Sequence, residues 1–102
     1  MRCSWMYAGL IHYKFKPGIF EDAVKEWENM VMEEARKHKG FIKAQMFLNE
    51  ETGEAFDIGF WETEEDAKNF EETGSFDLFK EGLKDYIIET PVRKRFKLAT
   101  SV

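Results

Sequence analysis

A single α+β domain of βαββαβ order is predicted, and three features of the sequence predict it. Two segments carry apolar residues at helical spacing, and four short segments are rich in aromatic and aliphatic residues. Glycine and proline punctuate the boundaries between them. The middle two strand-like segments are separated only by a short polar link, the mark of an antiparallel hairpin. The chain has 102 residues, the size of one domain, so the whole of 1–102 is read as a single unit.

Residues 6–15 (MYAGLIHYKF) read as the first strand, closed by Pro17-Gly18. Strand alternation puts Tyr7, Gly9, Ile11, Tyr13 and Phe15 on one face, and Met6, Ala8, Leu10, His12 and Lys14 on the other. Residues 19–38 form the clearest helix. Phe20, Ala23, Val24, Trp27, Met30, Val31 and Ala35 fall on one side, acidic residues open it, Arg36-Lys37-His38 close it, and Gly40 stops it. Residues 41–49 and 55–62 are the hairpin strands around Asn49–Gly53, with Phe56, Ile58 and Phe60 assigned to the buried face of the second.

Thr63 is placed to cap a second helix that begins Glu64-Glu65-Asp66. Gly74-Ser75 breaks that helix, and a further helical segment carries Phe76, Phe79, Leu83, Tyr86 and Ile87 on one side. Pro91 ends the region, and residues 92–99 form the last strand. Two crossover helices on one face of a four-stranded antiparallel sheet satisfy this order, which is the ferredoxin-like arrangement. The second sheet face keeps Met6, Ala8 and Leu10, with Trp61 added by alternation, so a second copy of the chain is the expected cover.

Composition narrows the function. A formal net charge of −5 opposes general nucleic-acid binding, which needs a basic footprint. The element order matches that of an RNA-recognition module, but the aromatic RNP sequence is missing. No apolar run approaches the ~20 residues of a membrane span, and a cytoplasmic location is the expectation. The lone cysteine, Cys3, allows no internal disulfide. Neither it nor the two histidines form a metal-ligand set, and no phosphate loop or nucleophile elbow is present, so no metal or cofactor is expected.

Several charged or titratable groups have a plain structural reading. Glu62, Glu64, Glu65 and Asp66 are helix-start charges. His38 closes a helix, where dipole and solvent explain it. Arg93, Arg95 and Lys97 share a strand face. Charge protection of an edge strand is the simpler account of them, and holding an anionic substrate is the other.

Aromatic residues make up 16% of the chain, a heavy load for so small an interior. Ile11, Tyr13, Phe56, Ile58, Phe60, Phe70, Phe76 and Phe79 are expected to converge between sheet and helices. A subset of them is expected to line an apolar pocket. Gly9, Ile11, Ile58, Gly59, Phe60, Phe70, Phe79 and Leu83 are the candidate ligand-binding residues, the two glycines because they leave space. Tyr7, Tyr13 and His12 are the candidate polar participants.

Tyr13-Lys14-Phe15-Lys16-Pro17-Gly18 followed by an amphipathic helix resembles the opening of the antibiotic-biosynthesis-monooxygenase family. Gly40-Phe41 resembles its glycine-aromatic step. Phe60-Trp61-Glu62-Thr63-Glu64-Glu65-Asp66-Ala67 resembles its tryptophan, acidic cap and helix start, and Ser75-Phe76 through Leu83 its segment after the broken helix. The resemblance spans about residues 6–98 and implies a dimeric α/β barrel with a pocket in each subunit.

Known members include cofactor-independent oxygenases of aromatic polyketides and haem-degrading enzymes. Many members carry a glutamate two residues before the tryptophan and a histidine nine residues after it; here these positions are Gly59 and Phe70. The haem branch's asparagine, tryptophan and histidine fall at Ile11, Phe70 and Leu83, which argues against haem chemistry. Two functional readings follow: a cofactor-independent monooxygenase of a small aromatic or hydrophobic molecule, or a non-catalytic ligand-binding or sensing dimer. A third is a structural dimer with a filled core.

Overall fold

The computed structural model describes residues 6–102, and Cys3 lies outside them. The chain runs β1 (Tyr7–Lys14), α1 (Phe20–Met30), a π-helical turn (Val31–Ala35), β2 (Phe41–Leu48), β3 (Glu54–Trp61), α2 (Glu64–Glu71), α3 (Ser75–Gly82) and β4 (Val92–Lys97). The strands form one sheet in the order β2-β3-β1-β4, with every neighbouring pair antiparallel. This is the expected ferredoxin-like βαββαβ fold, its helices covering one sheet face.

The first helix differs in detail from the expected span. Its α-helical bonding gives way after Met30 to a wider turn, in which the Arg36 N–H donates to the Val31 carbonyl at 2.9 Å. Arg36, Lys37 and His38 therefore lie beyond the helix. Gly40 follows with φ +84°, and a Cβ there would collide with the Asp66 side chain, so the entry to β2 rests directly on the first turn of α2. Thr63 Oγ1 accepts from the Asp66 N–H at 3.0 Å, the cap that its position predicts.

The register of β3 corrects the sequence reading. Tyr7, Ile11 and Tyr13 of β1 pair with Trp61, Asp57 and Ala55, and Tyr7, Tyr13, Ala55, Asp57 and Trp61 are all buried beneath the helices. Ala8, Leu10 and His12 pair with Phe60, Ile58 and Phe56 on the open face. Phe56, Ile58 and Phe60 thus point away from the helices and Trp61 points toward them, the reverse of the expected assignment. Apolar bulk stands on both sides of this strand, so alternation could not choose between them. Bulky Tyr13 and Trp27 fill the helix side and leave β3 to supply Ala55 and Asp57 there.

The main core gathers Tyr13, Phe15, Ala23, Trp27, Met30, Ala55, Phe79 and Leu83. Leu83 has no exposed surface, and it is packed core where the sequence reading had it lining a pocket. Leu83→Ala is expected to cost about 2–5 kcal/mol through lost burial and the cavity left behind. Chemical denaturation checks this by a lowered midpoint at unchanged slope.

Candidate functional site

The site is a cleft between the helix side of the sheet and the helices above it. Successive strand positions build its floor in rows. In one row Gly9 of β1 lies between Gly59 of β3 and Arg95 of β4. In the next, two residues along, Ile11 lies between Asp57 and Arg93. The glycine row offers no side chains from β1 or β3, and an ideal Cβ on Gly9 would meet nothing within 4 Å. That gap is the cavity.

Trp27 of α1, Val31 and Ala35 of the π-helical turn, and Phe70, Phe76 and Phe79 of the later helices form the roof and walls. Phe41 and Trp61 close one end, packed edge to face with ring centroids 5.5 Å apart. The cleft measures about 570 Å³ when the open solvent at its mouth is included. A π-type turn at such a wall is a frequent feature of functional sites. Here it brings Val31 and Ala35 to the same cavity.

Asp57 is the chemically distinctive group. Its side chain is buried in an aromatic setting, and Oδ2 accepts from the Tyr13 hydroxyl at 2.8 Å and from Trp27 Nε1 at 2.8 Å. Burial pushes its pKa up to about 7, against hydrogen bonds from Tyr13, Trp27 and the Ile11 backbone that pull it down. A carboxyl group balanced near neutrality can take and return a proton. Burial, with the Asp57 charge and hydrogen bond added, holds the Tyr13 phenol well above its ordinary value, so Tyr13 stays a donor that fixes Asp57. Trp61 Nε1 leans over the floor, 3.5 Å from where a Gly59 Cβ would stand.

Two further charged residues stand on the β4 side of the cleft. Glu71 and Arg93 both line the cavity, and Glu71 Oε1 is held by Arg95 Nε at 2.8 Å. The Arg93 guanidinium lies 5.0 Å from the centroid of the Phe76 ring. Among the described residues no cluster of three metal-ligating side chains occurs.

Five of the eight sequence-predicted ligand-binding residues meet at this cavity: Gly9, Ile11, Gly59, Phe70 and Phe79. Ile58 and Phe60 do not, because they face the other side of the sheet, and Leu83 is in the packed core. Among the three polar candidates, Tyr13 reaches the site only through Asp57. Tyr7 packs beside Trp61 and Ala67. His12 is on the open face, its Nε2 2.7 Å from Glu54 Oε2 and its ring edge-on to Phe56.

The sequence reading missed Asp57, Trp27 as its partner, and Phe41. The signal was present: Trp and Tyr each carry a polar tip that needs a partner when buried, and a lone strand aspartate facing them supplies it. Asp57 stands two residues before Gly59 on the same strand face and brings a carboxylate to the cleft.

A ferredoxin-like domain with an apolar cleft between sheet and helices defines the class of molecule. The profile of the antibiotic biosynthesis monooxygenase family matches residues 6–82, and the chain belongs to that family. The sequence matches no curated protein.

Solved structures agree in shape. A monooxygenase of Streptomyces coelicolor in complex with nanaomycin D superposes with a TM-score of 0.79 at 16% identity, over 97% of this chain and 92% of that one. SnoaB, a cofactor-independent oxygenase of Streptomyces nogalater, gives 0.75 at 10% identity, over 96% and 97%. A conserved protein of Methanosarcina mazei gives 0.74 at 12%, over 93% and 94%. At these identities the likeness is one of fold.

Proposed function

We propose that this protein is a cofactor-independent monooxygenase that oxidises a small, electron-rich aromatic molecule in the Asp57 cleft. The observation that carries the reading is a carboxyl group that lines an aromatic cavity, buried and held by Tyr13 and Trp27, with burial raising it toward neutrality. Family membership and the oxygenases that share the fold support it.

The chemistry asks little beyond a base, a dry site and a donor. Asp57 takes a proton from an activated CH2 of the substrate. The resulting carbanion gives an electron to dioxygen, and the radical pair combines to form a C–O bond. The peroxide anion recovers the proton from Asp57. A second deprotonation by Asp57 then breaks the O–O bond, leaving a carbonyl and hydroxide, which takes the proton to become water. The balance is CH2 plus O2 to C=O plus H2O. Trp61 Nε1 is suited to donate to the oxygen that carries charge on the way.

The working unit in this reading is a homodimer. Leu10, Phe56, Phe60 and Phe96 present apolar surface on the open sheet face, and a second copy would cover it. The corrected register strengthens this argument, since it moves three large β3 residues onto that face.

Oxygen uptake with a panel of phenols and quinols tests the activity. The expected result is one O2 consumed per substrate, above the rate of autoxidation. Tight ligand binding with no enzyme-dependent uptake would instead assign the protein to ligand binding or sensing.

A further inference from the structure

From the position of Arg93 we infer that the cleft selects aromatic molecules bearing a carboxylate, held by the Arg93 guanidinium at the wall opposite Asp57. The inference rests on the aromatic-binding reading above and adds the substrate's charge to it.

Three observations lead there. First, among the described residues Arg93 has no carboxylate within ion-pair distance, whereas its neighbour on the same strand face, Arg95, is paired with Glu71 at 2.8 Å. The one glutamate that lines the cavity is thereby neutralised, and Arg93 is left to a ligand. Second, Arg93 is only partly exposed and stands over Phe76 at 5.0 Å, while Lys80 Nζ approaches the same ring at 5.3 Å. Lys80 is paired with Asp77 at 3.8 Å and does not line the cavity, so Arg93 is the cation that the cavity presents there. Third, the register fixes the separation. Asp57 and Arg93 pair with the two sides of the same residue, Ile11, so their backbones lie two strand spacings apart, about 10 Å. An aromatic acid lying along that row would place its reacting carbon toward Asp57 and its acid group toward Arg93. A guanidinium fork meets a carboxylate through two parallel N–H donors, which would also fix which edge of the ring meets Asp57.

The test is equilibrium binding, read from the fluorescence of the cavity-lining Trp27 and Trp61, with 2-naphthoate and 2-naphthol as the two probes. The inference predicts that naphthoate binds tighter than naphthol by roughly 10- to 100-fold, the worth of a charge-assisted hydrogen bond. Arg93→Gln should erase the difference and Arg93→Lys should restore part of it, the readout being the ratio of naphthoate to naphthol affinity within each protein. Equal affinities in the wild type, or a preference that survives Arg93→Gln, would overturn the inference and leave the aromatic-binding reading intact. If neither probe binds, both fall together. A circular-dichroism melt of each variant keeps a folding defect from being mistaken for lost binding.

Discussion

Asp57→Asn is expected to abolish oxygenation while leaving the protein at least as stable as the wild type above neutral pH. The amide oxygen can still accept from Tyr13 and Trp27, so the packing of the site survives. The proton carrier does not, and general-base catalysis is worth roughly 10²–10⁴-fold. In the wild type the rate should rise with pH and level off above about 7, because the base acts in its ionised form.

Stability should move the other way. Asp57 has a folded-state value of about 7 against an ordinary 3.8, so between these limits the folded state holds a proton that the unfolded state has lost. The contribution is complete below the lower value and is lost as pH rises through the upper one, on the order of 4 kcal/mol in all. Asp57→Asn should flatten that slope. Urea titrations across the window read the stability and oxygen uptake the rate. A wild type whose rate is flat through neutrality would remove Asp57 from the mechanism. Asp57→Ala should instead cost stability, since it strands two buried donors at about 1–3 kcal/mol each.

Gly9→Val should have the second large effect. The new side chain would project into the cleft, where a Cβ meets nothing within 4 Å. A β-branched residue suits a strand better than glycine, so unfolding free energy should hold or rise by up to ~1 kcal/mol. Ligand affinity should fall by at least roughly 30-fold, as the burial of a ring's worth of apolar surface is denied. Fluorescence titration and denaturation on the same sample separate the two readouts. Unchanged affinity would show that the ligand does not occupy the floor between Gly9 and Gly59.

The fold was legible because its signals are local. Trp27 and Met30 mark a helix face by spacing, Thr63 announces a cap, and Asn49–Gly53 leaves room only for a hairpin turn. The face of each strand was legible only where one side is plainly polar. β1 was read correctly because Lys14 and His12 alternate against Tyr13 and Phe15. β3 was not, since Phe56, Ile58 and Phe60 look more buried than Ala55, Asp57 and Gly59. Only the partner strand and α1, with their own bulk, decide the matter.

The same error hid the candidate base, because a strand aspartate between two apolar residues reads as solvent-facing. Arg93 and Arg95 were legible as sharing a face. That one is paired and the other points to the cleft depends on Glu71, brought there by the path of α2. Gly9 and Gly59 were recognised as open space because an absent side chain makes room on either face.

The proposed chemistry requires Asp57 to be a neutral-range acid in contact with the ligand. The most direct measurement is carbon-13 NMR of its carboxyl group across a pH titration, with and without a bound naphthoate. The account predicts a midpoint near 7 in the free protein that moves when the probe binds. A midpoint in the ordinary aspartate range, untouched by the probe, would contradict it.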